Sequence, residues 1–541
     1  MHATEEVLRH RPGFGQTLKE WIFTIDHKRI GILYLIGSLA AFAVAGLMAL
    51  LIRIELGSLG PTLTSNPGTY NVWLYFHGAA MILAFQIPAL TGFLANYLVP
   101  LMIGARDMAF PRLNALSLWL YWAGIIVALL TFVIPDPPDV MWTGYPPYSL
   151  ITGGNTALYV FTVHLMGFSS IVGGINLLTT IFYMRAPGMK LNKLNIFVWS
   201  TLGAFVLQLI FIPVLAAAVT TLLFDKYLGT HFYDPANGGD VLLYQNLFWF
   251  YSHPAVYVIL LPTIGMIFDI VATFAKNRVF NYNMVVYGGI GGVVLMSGEV
   301  WIHHLFTSGM PDWIRIGMMI STLLISIPVG LLMIGLLGTL YRGAIQYTTP
   351  MLYAVGFIFL FLIGGLTGIP NAMTAIDLYI HDTHFVVAHF HYVMAVATTF
   401  AIFGSVYYLF PKMTGRMYSE TLGKLGFFIL FAGVNITFFT MFIVGFKGMP
   451  RRYFDYQQFP QLEGLHHIIT IGAYIIGIAA LLILISWIHG LVAGKKAPDN
   501  PWGSKSLEWT TSTPPPPGNF RELPILTEEW HPYGYGRSEQ P

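Results

Sequence analysis

Apolar residues in this chain run in long unbroken stretches, and polar residues fall almost entirely between them. At about 20 residues per bilayer crossing, the stretches near 30–53, 72–98, 115–135, 157–184, 195–224, 241–275, 283–306, 314–341, 350–370, 384–410, 423–446 and 465–494 each predict a membrane-spanning helix. The fold expected is therefore an all-α integral membrane protein with twelve transmembrane helices. It divides into an N-terminal segment (1–29), a twelve-helix catalytic domain (30–494) and a polar tail (495–541). Basic residues favour the cytoplasmic side of a membrane protein. With the N-terminus inside, all but Arg53, Lys226, Arg315, Lys447, Arg451 and Arg452 of the 27 lysines and arginines fall on the inner side, including Arg9, Arg11 and Arg537. Both termini are thus expected in the cytoplasm, as in a multi-pass protein of a bacterial-type plasma membrane.

Composition narrows the chemistry. Of 541 residues 55% are hydrophobic and 10% charged, against about 25% charged in soluble proteins. A net charge of +2 gives no reason to expect a nucleic-acid partner. The absence of cysteine excludes disulfides, thiolate metal sites, iron–sulfur clusters and cysteine nucleophiles within the chain. The first 25 residues hold Glu5, Glu6, Lys19 and Glu20 rather than an apolar core, so no cleavable signal is expected. The tail from Pro498 onward is polar and includes Pro514 to Pro517. No internal repeat and no soluble catalytic domain stands out, which places the chemistry inside the bilayer.

Ionisable residues within spans are costly and point to function. His77 lies in the second span, His253 in the sixth, His303 and His304 in the seventh, and His389 and His391 in the tenth. Residues two apart on an α-helix are about 200° apart, so His389 and His391 face opposite sides and suit two different metals, as axial ligands do for haem. His253 with His303 and His304 offers three imidazoles from two helices, which suits copper, iron or zinc.

The strings WFYSHPAVY, WIHH, HDTHFVVAHFHYV, NYLVPLMIGARDMAFPRLN and GMPRRY resemble the catalytic subunit of the haem–copper oxidase superfamily, in particular its mitochondrial-like cytochrome oxidase branch. The resemblance runs through all twelve spans. It implies that His77 and His391 ligate a low-spin haem, that His389 is the proximal ligand of a high-spin haem, and that His253, His303 and His304 hold non-haem iron or copper. It implies further that Tyr257 is the histidine-linked tyrosine, that Arg451 and Arg452 bind haem propionates, and that His381 and Asp382 belong to a magnesium site at a subunit interface.

Departures from the family pattern carry the finer reading. One proton input keeps Asp107, Asn96 and Asn114, but Arg106 stands where the family has proline and Ala115 where it has a second asparagine. Its inner glutamate is replaced by Ala255, a loss that one oxygen-reducing subgroup meets with a Tyr-Ser pair, here Tyr251 and Ser252. The second input lacks its threonine and lysine, which are Val329 and Leu332; Ser321, Thr322 and Ser326 offer the one hydroxyl alternative. Glu299 lies four residues before His303, on the same face if the helix is regular, and is expected to be a metal ligand or active-site acid, with a passive or relay role as the bland reading. On Glu299, Val329 and Leu332 the sequence favours reduction of NO to N2O, with reduction of O2 to water, possibly with proton pumping, as the alternative; Tyr257 argues for O2. Electrons are expected from a second subunit carrying the electron input site or from cytochrome c, with quinol the lesser alternative. A transporter or proton channel with structural histidines, the competing class, would carry no haem.

Overall fold

The computed structural model describes residues 14–535. Arg9, Arg11 and Arg537, which entered the orientation argument, lie outside the described residues, as do the outer parts of the expected N-terminal segment and tail. Among the described residues, eleven helices are long and apolar enough to cross a membrane. They are α1 (His27–Glu55), α2 (Pro67–Met102), α3 (Pro111–Phe132), α4 (Thr156–Tyr183), α5 (Ile196–Leu228), α6 (Val241–Ala275), α8 (Asp312–Leu340), α9 (Thr349–Ala372), α10 (His384–Thr414), α11 (Glu420–Phe446) and α12 (Pro460–Ala493), with the shorter α7 (Met284–Glu299) completing the series.

The ends form where side chains can satisfy the free backbone groups of a helix. Asp26 accepts from the amides of Lys28 and Arg29 to start α1, and Asp240 accepts from Leu242 N to start α6. Gly229 and Gly415, both left-handed, end α5 and α10, as is usual for a residue without a Cβ. Helices adjacent in sequence pack together, α5 on α6 and α11 on α12 most extensively. The α11–α12 contact depends on small residues. A Cβ on Gly472 would lie 2.3 Å from Thr437 Oγ1, and one on Gly433 would lie 2.9 Å from Ile475 Cγ2. Between helices in lipid, such close backbone approach takes the place of a hydrophobic driving force.

The seventh span departs from expectation. In place of one regular helix over 283–306, the chain forms a π-helical stretch (Met284–Gly291), one α-turn (Gly292–Met296) and two 3-10 turns, Ser297–Glu299 and Trp301–Leu305. They are separated by Val300 at φ −117°, ψ 5°. Glycines bring its neighbours in: a Cβ on Gly289 would meet Leu332 at 2.5 Å, one on Gly292 Pro328 at 2.7 Å, and one on Gly298 Phe211 at 2.6 Å. Helix α2 is π-helical over Ala80–Gln86 and Pro88–Leu94, and α10 over His391–Val396. Such stretches concentrate at functional sites.

The polar tail, as far as it is described, is an ordered strap across one end of the bundle. Asn519 Oδ1 accepts from Lys28 Nζ and lies against His27 Nε2, both at 2.9 Å, and its amide donates to the Ala105 carbonyl. Lys412 donates to the carbonyls of Asp499 and Thr511. Trp502 donates to the Tyr408 carbonyl, and Lys193 to that of Thr527. Trp509 is 1% and Glu508 0% exposed.

Candidate metal and haem centre

Helix α6 is the spine of the site. Pro254 removes one backbone donor, yet the helix continues for 35 residues. It places His253 beside the two 3-10 histidines of the following span. His253 Nδ1 and His304 Nε2 are 3.1 Å apart, and the His253 ring centroid is 4.5 Å from that of His303. One nitrogen from each of the three lies within 4.8 Å of the others, and no other such cluster of potential ligands occurs among the described residues. His253 is buried and its Nε2 has no hydrogen-bond partner. Burying a polar nitrogen unpaired costs about 1–3 kcal/mol, a cost that a bound cation removes. His303 Nδ1 is 3.3 Å from Thr322 Oγ1, and the His304 ring stacks on Trp249 at 3.6 Å. Tyr257, one turn after His253, sets its ring edge-on to that imidazole at 4.8 Å.

Glu299 stands apart from this cluster. The α-turn ends at Met296, and Glu299 and His303 lie in two 3-10 turns separated by Val300, so the face they would share in an ideal helix does not form. The Glu299 side chain is exposed on the chain surface, while its backbone carbonyl accepts from Ser321 Oγ. It is absent from the group of converging ligand atoms. Leu332 is fully buried against Gly289, which seals the position where a lysine was expected. Ser321 and Thr322 lie beside Glu299 and His303, whereas Ser326 is exposed.

Three further histidines share one arrangement. His77 Nδ1 lies 3.0 Å from the Ala45 carbonyl, His389 Nδ1 3.0 Å from that of Gly364, and His391 Nδ1 2.8 Å from that of Val387. A carbonyl can only accept, so Nδ1 carries the proton and Nε2 is left as the ligand atom, the usual outer support of a metal-bound imidazole. Thr367 Oγ1 lies 3.2 Å from His389 Nδ1. A Cβ on Gly368 would come within 3.1 Å of the His389 ring. Gly364, Thr367 and Gly368, which the sequence reading passed over, thus seat His389; their small-residue spacing along α9 was the available signal. His391 stacks on Phe438 at 4.4 Å. The two neighbouring histidines of α10 thus have different neighbours, His391 stacking on Phe438 and His389 resting against Gly364 and Thr367.

Near the opposite end from the strap, Arg451 pairs with Asp382. Arg452 lies over the Tyr145 ring at 5.6 Å, and Tyr145 OH accepts from Trp249 Nε1. Arg451 Nε and Arg452 Nη2 are buried without partners, which suits an anionic group between them and the histidines. His381 Nδ1 is 2.9 Å from Asp377 Oδ2; with Asp382 engaged by Arg451, the two expected magnesium ligands are adjacent in sequence but each holds a different partner. At the strap end, burial raises the carboxyl of Asp107 above its ordinary value. Asn96 Oδ1 and both amide atoms of Asn114 are buried and unpaired. Tyr251 and Ser252 are buried on α6.

Residues 29–475 match the family described as Cytochrome C and Quinol oxidase polypeptide I. The chain belongs to this family. It is 42% identical over 519 residues to a cytochrome c oxidase subunit 1 of Thermostichus vulcanus, covering 96% of this chain and 93% of the relative. To that of Synechocystis sp. it is 43% identical, covering 95% and 92%. A haem–copper terminal oxidase dimer solved by cryo-EM shares the fold, with a TM-score of 0.74 at 19% identity over 87% of this chain and 85% of that one. Membership makes the chain a multi-pass membrane oxidoreductase of the haem–copper oxidase superfamily, whose subunit I implies haems and a binuclear metal site. The free Nε2 atoms of His77, His389 and His391, the orphaned Nε2 of His253 and the unpaired arginine nitrogens all fit those groups.

Proposed function

We propose that this protein is the catalytic subunit of a respiratory oxidase that reduces O2 to water with electrons from cytochrome c or a partner subunit. The observation that carries the proposal is the composition of the metal cluster: three imidazoles and an adjacent tyrosine, with Glu299 outside. This reverses the preference for NO, which rested on Glu299 beside the metal together with Val329 and Leu332; the relatives, named cytochrome c oxidase subunit 1, support the same choice.

Water formation from O2 takes four electrons and four protons; His389 would hold a high-spin haem and His253, His303 and His304 a metal, groups that would supply the redox chemistry of that reduction. The protein's own residues supply geometry and protons. His77 and His391 would hold a low-spin haem, which would supply electron transfer. Tyr257 is placed to give up a proton and an electron next to the cluster. Arg451 and Arg452 would offset propionate charge, and His381 and Asp382 would supply this chain's half of a magnesium site once released from Asp377 and Arg451. Protons enter at Asp107, pass Asn96 and Asn114, and reach Tyr251 and Ser252, which replace the missing carboxylate at Ala255. The basic-residue pattern supports both ends on the inner side, with a bacterial-type plasma membrane as the proposed location.

NO reduction is the second reading, favoured by Val329 and Leu332, which leave no second proton input, and by Glu299 in the same span as two ligands. Metal analysis of the purified complex, together with gas turnover, separates the two. Copper at the non-haem position with O2 consumption as the main activity is expected. Non-haem iron, N2O formation and negligible O2 turnover would overturn the proposal.

A further inference from the structure

Ahead of α1 the chain forms a short helix, Phe14–Ile22. At about 100° per residue, Leu18, Trp21 and Ile22 fall on one side of it, Gln16 and Glu20 on the other, and Lys19 on the flank. The bundle covers neither side completely. Gln16, Lys19 and Glu20 are exposed, Trp21 and Ile22 are half-buried, and Leu18 is 48% exposed. Phe23 and Ile25, which follow the helix, are 72% and 51% exposed.

This apolar surface is fixed close to the start of a membrane span. Phe23 N donates to the Lys19 carbonyl and Thr24 N to that of Trp21, which closes the helix. Thr24 is buried, and its Oγ1 accepts from Asp26 N at 3.2 Å. Asp26 in turn caps α1 and pairs with Lys28, which the strap holds through Asn519. Apolar side chains exposed along the span, such as Ile36 and Leu47, meet lipid tails. Leu18, Phe23 and Ile25 precede the span, and in water they would form an apolar patch at a cost in free energy. The Arg29 guanidinium lies over the Trp21 ring at 5.5 Å. An apolar face flanked by tryptophan and basic residues is the pattern of a helix that lies in the membrane interface.

We propose that Phe14–Ile22, with Phe23 and Ile25, is an interfacial anchor in the lipid headgroup layer at the strap end of the bundle. Leu18, Ile22, Phe23 and Ile25 turn toward the acyl chains, and Gln16 and Glu20 toward water. The partner is an anionic lipid surface, whose phosphates meet Lys19 and Arg29; the Asp26 charge is already taken by Lys28. The anchor holds the entry of α1 at a fixed depth and, through Lys28 and Asn519, the strap with it.

The absence of cysteine from the chain allows a nitroxide to be attached at single introduced cysteines. The test uses the haem-loaded complex in nanodiscs of mixed phosphatidylcholine and phosphatidylglycerol, with wild-type complex treated alike as the background from partner subunits. Leu18→Cys and Phe23→Cys probe the apolar side, Gln16→Cys and Glu20→Cys the polar side, and unchanged haem spectra show that each variant is folded. Collisions with O2 and with a water-soluble nickel chelate read the depth of each label. Labels at 18 and 23 are expected to meet O2 more than nickel, at about 5–10 Å below the headgroups, with the reverse order at 16 and 20. In pure phosphatidylcholine the labels at 18 and 23 are expected to rise toward the surface. Free nickel access at all four positions would show a helix in water and overturn the proposal. Shielding of 18 and 23 from both reagents would show a protein partner on this face and overturn it equally. Unchanged depth in pure phosphatidylcholine would remove anionic lipid as the partner.

Discussion

Glu299 and Tyr257 lie in neighbouring spans and draw the chemistry in different directions. The sequence shows both, but only the backbone between Glu299 and His303 decides which of them meets the metal. A four-residue spacing places two side chains on one face only while the helix stays α-helical, and here the α-turn ends at Met296 and gives way to two 3-10 turns parted at Val300. The histidines were legible for a different reason: imidazoles inside spans have few roles, and their positions survive changes in local helix type. The Nδ1 partners were not legible, because they are backbone carbonyls. Glu299→Gln is expected to leave metal content unchanged and O2 turnover within about twofold, as for a surface substitution away from the reacting centre; oxygen-electrode assays and metal analysis check it. Tyr257→Phe is expected to cut O2 turnover by about 100-fold or more, the scale of a lost proton donor, with the haems still reducible in optical spectra. Equal turnover in the two variants would remove the tyrosine from the mechanism.

Among the elements, span length and order were readable from hydropathy, since a crossing needs its run of apolar residues whatever its detailed geometry. The seventh span was not, because its glycines look apolar and permissive in sequence yet serve to admit Leu332, Pro328 and Phe211. The same residue type closes the α11–α12 seam. Gly472→Ala would press a methyl group against Thr437, and overpacking of this kind costs about 1–3 kcal/mol. The expected result is faster thermal inactivation of the detergent-purified protein, with haem spectra at low temperature unchanged. An unchanged inactivation rate would show that the two helices can separate without loss.

Across the whole molecule, the strap is the largest feature hidden from the sequence. Its proline-rich, polar composition resembles a solvated tail, and its few aromatics, Trp502, Trp509, Tyr533 and Tyr535, disclose their role only once they are buried. Strap docking should respond to pH through Glu508. Burial pushes its carboxyl from 4.5 up to about 7, with Ser506 and Lys412 acting the other way. The docked strap therefore holds a proton that the released strap gives up, so docking is strongest at low pH and weakens as pH rises across that interval. Hydrogen exchange of residues 498–535 should accelerate between those values, and Glu508→Gln should flatten the response; a wild-type profile already flat would exclude it. The strap also has a consequence for biogenesis. It leaves the ribosome after all the spans, so α1, α5, α6 and α10 are tied together at this end only once translation of the bundle is complete. Until then the interior that receives the prosthetic groups remains loosely fastened at that end.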